Sequence, residues 1–181
     1  MRMILPAALL FLASPAVAAV TVIGGSSARV CYEAADSPLG PTAGELAACD
    51  HALTAEQLVP SDVVATRVNR GILRVRAGRL DDGIADFDAA IALDPSVGEA
   101  HFNRGVAFLR RNRAAEALPS FAIAVEGASM RPALAHFGRA AAYEALGDLR
   151  AAYADYRRAS EIEPDWDRPR AALARFTVRN N

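Results

Sequence analysis

One segment of this chain is written three times. Asn69-Arg70-Gly71 recurs 34 residues on as Asn103-Arg104-Gly105, and the same shift carries Phe87 onto Phe121 and Ala90 onto Ala124. A further shift of 35 carries Arg104 to Arg139, Phe108 to Tyr143, Ala117 to Ala152, Phe121 to Tyr156 and Ala124 to Ala159. A period of this length marks one supersecondary unit stacked on copies of itself, because a single unit cannot bury its apolar face alone. The extra residue of the longer shift falls in the Gly127-to-Pro132 turn, where an insertion costs little.

Each unit reads as two helices. Val64, Val68, Ile72 and Val75 recur at helical spacing, and Gly78 ends the run because glycine accepts the left-handed backbone of a helix C-terminus. A second run, Ile84, Phe87, Ala90 and Ile91, stops before Asp94-Pro95, since proline cannot continue a helix and biases the preceding residue away from helical geometry. The third copy repeats this punctuation with Gly147 and Glu163-Pro164. In the second copy Asn112 stands in for the glycine and the closing proline moves to Pro132. Gly71, Gly105 and Ala140 fall where the first helix of a unit approaches the second, Ala90, Ala124 and Ala159 do the same from the other side, and Phe87, Phe121 and Tyr156 fill the space between units.

With these residues the chain resembles the tetratricopeptide repeat family from Val64 to Trp166. The motifs that carry the resemblance are the two Asn-Arg-Gly triplets, the pairs Phe87/Ala90, Phe121/Ala124 and Tyr156/Ala159, and the closing Asp94-Pro95 and Glu163-Pro164. The resemblance implies an all-α, right-handed α-solenoid of three tandem helix-turn-helix repeats, at 64–97, 98–132 and 133–166. Three departures stand out. Gly83 replaces the usual alanine, at a cost of about 1 kcal/mol in helix propensity. Pro119 falls within the first turn or so of a second helix, where the lost hydrogen bond matters least. Arg67, His101 and His136 replace a large aromatic.

The ends read as caps. Asp167 can cap a last helix with Pro169 in its first turn, Leu173 and Phe176 covering the third unit and Arg170 and Arg175 facing water. This gives a capping helix and tail at 167–181. Upstream, Thr42-Ala43-Gly44-Glu45 has capping-box spacing, and the helix it opens turns Leu46, Cys49, Ala52 and Leu53 to one side. Residues 20–63 are therefore expected to hold an N-terminal half-repeat, with Val20 to Arg29 lacking a clear partner.

Residues 1–19 read as a cleaved signal peptide. Arg2 is followed by the apolar run Met3 to Ala13, too short to span a bilayer comfortably, then by Pro15 and small-residue cleavage sites after Ala18 or Ala19. A periplasmic or secreted location follows, without membrane insertion after cleavage. Cys31 and Cys49, the only cysteines, fit an oxidising compartment as one disulfide closing about 18 residues, worth roughly 3 kcal/mol on the chain-entropy model. A thiol or metal site with His51 is the alternative, though one thiol and one imidazole fall short of four zinc ligands.

A formal net charge of -1 supplies no global field toward nucleic acid. The family resemblance implies that first helices line a concave groove for a partner protein's extended peptide or helix. Helical geometry places Val68, Asn69, Ile72 and Arg76 there in the first unit, Phe102, Asn103, Val106 and Arg110 in the second, and Phe137 and Ala141 in the third. Val75, Glu99, Leu109, Leu134 and Glu144 flank them. The face reads as an apolar stripe in which the two asparagines pair with a partner's backbone without reading its sequence. Other uses of the same residues stay open. Val68, Ile72, Phe102 and Phe137 fit an internal core, Asn69 and Asn103 fit ties between neighbouring turns, and the N-terminal tail can fold back into the groove. Self-association of copies is an alternative role. An enzyme with His101 and His136 converging on a metal is a third, but no nucleophile with its base and no phosphate-cradling glycine loop accompanies them, and the aspartates at 81, 82, 86 and 88 fall at positions expected to face solvent. No catalytic residue, cofactor or metal is expected.

Overall fold

The computed structural model describes residues 19–22, 25–128 and 131–176. The leader at 1–18 and the tail from 177 lie outside them. Among the described residues are nine α-helices and no strand. They are α1 Ser26–Asp36, α2 Ala43–Ala55, α3 Pro60–Arg76, α4 Leu80–Leu93, α5 Gly98–Arg110, α6 Ala114–Ile123, α7 Pro132–Leu146, α8 Leu149–Ile162 and α9 Asp167–Leu173. Three hairpins, α3/α4, α5/α6 and α7/α8, stack in sequence, each first helix packing on both helices of the hairpin before it. The result is an α-solenoid.

Local chemistry sets most of the boundaries. Asn112 ends α5 with φ 59°, the one non-glycine residue of positive φ among the described residues, and takes the role that Gly78 (φ 80°) and Gly147 (φ 83°) play after α3 and α7. Pro60 opens α3 one turn ahead of Val64, its missing N–H falling where a helix has no partner to offer. Asp94 closes α4 and accepts from the Ser96 N–H and hydroxyl at 2.9 and 2.6 Å. Pro119 lies inside α6, past its first turn, so the helix carries one unmade bond in its interior. Directly after α6 the chain widens into a π-helical turn, Ala124–Ala128. Its i→i+5 pairing takes up one residue more than an α turn, and it occurs in the one repeat that is a residue longer.

The helices approach closely where α3 crosses α4. A methyl at Gly83 would sit 2.5 Å from Val75 Cγ2 and 2.9 Å from the Gly71 carbonyl oxygen, and one at Gly71 would meet the Phe87 ring at 2.5 Å. Gly83 is thus a close-approach position, and the propensity it forfeits is exchanged for helix contact. Phe87, Phe121 and Tyr156 are buried at equivalent positions, as are Ala90, Ala124 and Ala159.

The N-terminal half-repeat is larger than expected. The segment around Cys31 is itself a helix, so α1 and α2 form a fourth hairpin, with both helices against α3. The Thr42/Glu45 capping box at the start of α2 is formed in both directions. Helix α1 has no cap of its own. Glu56, beyond α2, supplies one, accepting from Ser27 N at 2.9 Å and Ala28 N at 3.4 Å. Cys31 and Cys49 are joined, and among the described residues no cysteine is free. His51 is exposed and pairs with the Ser27 hydroxyl at 3.1 Å.

At the far end α9 covers the third unit. Leu173 and Phe176 pack on Ala140, Ala152 and Tyr156. Two details differ from expectation. Trp166, not Asp167, is the N-cap, because Asp167 is already helical and pairs with Arg170 at 2.5 Å. Arg175 donates to Glu144 at 3.0 Å instead of facing water. Glu144 also accepts from the Tyr156 hydroxyl at 2.7 Å, and burial, reinforced by that bond, raises the Tyr156 pKa above its ordinary value.

Candidate peptide-binding face

The first helices α3, α5 and α7 lie side by side, so residues one repeat apart form columns across them. Val68, Phe102 and Phe137 make one column, Ile72, Val106 and Ala141 a second. The polar columns are shorter. Asn69 and Asn103 are followed by Gly138, and Arg76 and Arg110 by Ala145, so in these two columns the third unit carries neither amide nor guanidinium.

Most of the apolar columns are buried. Val68 and Ile72 join the core with Leu73 and Phe87, and Phe102 meets Phe121 edge to face at 5.8 Å. Phe137 is half-buried, 5.1 Å from the Tyr156 ring and 5.0 Å from Trp166. Ala141 stays partly open. Between α3 and α5 a cavity of about 20 Å³ is lined by Ile72, Val75, Arg76, Phe87, Asn103, Val106 and Arg110. That is room for about one water. Five of the ten expected contact residues therefore do converge, around a space too small for a side chain.

The two arginines fasten helices. Arg76 donates to the carbonyls of Ser37 and Ala34 at 2.6 and 3.3 Å, at the C-terminus of α1, and Arg110 donates to the Val75 carbonyl at 2.7 Å, near the end of α3. A cation at a helix C-terminus also meets the negative end of the helix dipole. Burial pulls the Arg76 pKa down, with the nearby Asp36 charge opposing. Because the two contacts are one repeat apart, α1 stands to α3 as α3 stands to α5.

Asn69 is fully buried and occupied. Its Oδ1 accepts from Val20 N at 2.8 Å and its Nδ2 donates to Val20 O at 2.7 Å. The segment expected to lack a partner is thus held by a groove residue, as the fold-back arrangement requires.

Sequence reasoning missed the arginine of the Asn-Arg-Gly triplet. Arg70 Nε and Nη2 donate to Asp86 at 3.0 and 2.6 Å, and Arg74 adds a bond to the same carboxylate at 2.8 Å. Asp86 is buried, contrary to the solvent-facing position expected for it. In the third unit Arg139 holds Asp155 at 2.6 and 2.9 Å, and the hydrogen bond raises the Arg139 pKa. In the middle unit Ser120 takes the aspartate's place at 3.0 Å, and Arg104 reaches back to Asp88 at 2.7 Å. The signal was available, since Arg70/Asp86 and Arg139/Asp155 share one spacing.

The two histidines have separate structural partners. His101 Nε2 donates to the Pro95 carbonyl at 2.9 Å, and burial lowers its pKa. His136 Nδ1 donates to Asp155 at 2.8 Å. Among the described residues no three His, Cys, Asp or Glu side chains are grouped to hold a metal ion, and no helix is long and apolar enough to cross a membrane.

Stacked helical hairpins with these columns define a helical repeat protein. Tetratricopeptide-repeat models match residues 68–132 and 133–165, and the chain belongs to that family. The first such domain of human RPAP3 is 26% identical over 64% of this chain and 90% of that one, with a TM-score of 0.60. The first repeat domain of Spaghetti (RPAP3), solved bound to the HSP90 peptide SRMEEVD, is 26% identical over 62% and 88%, TM-score 0.59. MamA from Desulfovibrio magneticus RS-1 shares the fold over 82% of each chain, at 20% identity and TM-score 0.66. No curated protein gives a significant match.

Proposed function

We propose that this chain is a non-catalytic protein–protein interaction scaffold of the cell envelope, holding an extended segment of a partner polypeptide on the face of α3, α5 and α7. One observation carries the reading: the Asn69 amide captures both main-chain groups of Val20. A side chain on this face therefore has the chemistry and the access to hold a peptide by its backbone, which is sequence-tolerant recognition. Membership of a family of interaction modules supports the reading, and the peptide on Spaghetti is a further parallel. That peptide ends in an acidic carboxyl cluster. Arg76 and Arg110 are engaged with helix carbonyls here, so carboxylate-terminal specificity is not part of the proposal. The envelope location rests on the leader read in residues 1–19, and the Cys31–Cys49 bridge fits it.

The test is a photo-crosslinking residue at Ala141, on the partly open part of the face, with Ala85 on the exposed side of α4 as control. Adducts to a second polypeptide are expected from position 141 and not from 85. Adducts from neither, or equally from both, would sink the reading. An adduct of two copies of this chain would identify self-association instead. N-terminal sequencing of the exported chain, starting at Ala19 or Val20, checks the location.

A further inference from the structure

The turns that close the first and third units hold the same place in the repeat and are finished differently. In the first, Asp94 accepts from the Ser96 N–H and hydroxyl, and the Pro95 carbonyl accepts from His101. In the third, Glu163, Pro164, Asp165 and Trp166 stand where the first has Asp94, Pro95, Ser96 and Val97. The hydroxyl that closed the first turn is replaced by a second carboxylate, and Arg170, in the place of His101, is taken by Asp167. Glu161 is held by Arg157 and Arg158. Among the described residues no ion pair includes Glu163 or Asp165, and both are exposed.

This turn is one wall of a cavity of about 560 Å³ that opens between it and the start of α7. A space of that size is in the range of ligand pockets, unlike the gap between α3 and α5. Leu134, Ile162 and Trp166 make the lining apolar, Glu163 and Asp165 charge it, and Arg131, itself engaged, lies on the same lining. Two carboxylates against one guanidinium leave negative charge in excess. The turn also follows the C-terminus of α8, the negative end of the helix dipole, and the last turn of α8 has no basic residue to offset it. Elsewhere this molecule seats arginines at such ends, Arg76 on α1 and Arg110 on α3. The end of α8 offers the same field with two carboxylates added. Trp166 is braced by Phe137 at 5.0 Å and remains partly exposed, so the indole is a fixed platform. A guanidinium is flat and weakly hydrated, stacks on an indole and forks onto a carboxylate, whereas an ammonium is a point charge that holds its water.

We infer that this cavity is a binding site for an arginine side chain of a partner polypeptide, its guanidinium stacked on Trp166 and paired with Glu163 and Asp165. The inference rests on the scaffold reading and adds the chemistry of the partner, a basic segment. Leu134 belongs to α7, so the cavity adjoins the face of the first helices at its third-unit end. Recognition here is by side chain and charge, and it selects among partners.

Trp166 is the only tryptophan in the sequence, so its fluorescence reports on this cavity directly. The full chain is titrated with acetyl-Gly-Arg-Gly-amide and with the same peptide carrying lysine or citrulline, the uncharged isostere, in place of arginine. A saturable change is expected with the arginine peptide, about tenfold tighter than with citrulline and several-fold tighter than with lysine. Glu163→Gln with Asp165→Asn keeps the reporter, removes both charges at exposed positions, and is expected to weaken arginine binding by about tenfold. No saturable change, equal binding of the arginine and citrulline peptides, or undiminished binding to the double variant overturns the inference. Equal binding of the lysine peptide overturns the guanidinium assignment. Should the double variant lose helical circular dichroism, Asp165→Asn alone decides, and undiminished binding to it overturns the inference. The two readings fail separately. Crosslinks from position 141 persist if only the arginine pocket is wrong, whereas saturable arginine binding without those crosslinks removes the scaffold.

Discussion

Arg70 and Asp86 form a bidentate ion pair across the first hairpin, Nε at 3.0 Å and Nη2 at 2.6 Å, with the carboxylate buried. Arg139 and Asp155 repeat it in the third unit, 16 residues apart in both cases. The pair ties first helix to second, and through Asp50, 2.8 Å from Arg70, it also reaches α2. Asp86→Asn removes the negative charge facing two arginines that are mostly shielded from water. Deleting one member of a buried pair costs about 3–5 kcal/mol. The arginines retain some solvent and Asp50, so a loss of roughly 2 kcal/mol in urea unfolding is expected. A loss below about 0.5 kcal/mol would mean that the pair only decorates the hairpin.

Gly83→Ala tests which of two effects governs the α3/α4 crossing. In an exposed helix the change would stabilise by about 1 kcal/mol. Here the new methyl meets the Gly71 carbonyl at 2.9 Å and Val75 Cγ2 at 2.5 Å, and a backbone atom cannot swing aside. Overpacking of this kind costs typically 1–3 kcal/mol, so the net expectation is a destabilisation of roughly 1 kcal/mol, read as a lower urea midpoint. A more stable variant would show that the helices can part without loss.

The features legible in the sequence are those whose cause is local. Gly78, Asn112 and Gly147 announce helix ends through their own backbone preference, and the columns from Val68 to Phe137 follow from the period. What stayed hidden depends on contacts far along the chain. Helix α1 has no capping side chain beside it because Glu56, about thirty residues on, does the work. Asp86 looks like one acid among four until Arg70 and Arg74 are folded onto it. Asn69 was identified as a backbone-pairing amide, but nothing near Val20 indicates that it is what Asn69 holds, 49 residues away. The apolar columns do fall on α3, α5 and α7, yet period alone cannot separate a groove from the seam between helices, and Phe102 lies in the seam.

The Cys31–Cys49 bridge closes a separation of 18 residues within the N-terminal hairpin. Reduction is expected to lower stability by about 3 kcal/mol on the chain-entropy model. The loss should be local first, since α1 and α2 contact the rest of the chain mainly through α3. Hydrogen exchange of α1 and α2 should therefore rise under reductant while α7 and α8 stay protected. Intact masses of oxidised and reduced protein should differ by two hydrogens, and equal masses would show that Cys31 and Cys49 are free thiols.

His101 sets a pH dependence whose sign follows from its surroundings. The Pro95 carbonyl can only accept, so Nε2 carries the proton, and Nδ1 is a buried lone pair that meets no donor. Burial, the largest cause, with help from the nearby Arg104 charge, depresses the pKa below its ordinary 6.5, against the bond to Pro95. The unfolded chain therefore binds the proton more readily than the folded one, and folding stability falls as pH drops below about 6.5. The fall continues until the lower folded-state pKa is reached. His101→Gln cannot titrate, so the thermal midpoint of the variant should shift less between pH 7 and pH 5 than that of the unaltered chain, even if both start lower on account of their carboxylates. Equal shifts in the two proteins would assign the acid sensitivity elsewhere and leave His101 as a packing group at the position of the family's aromatic.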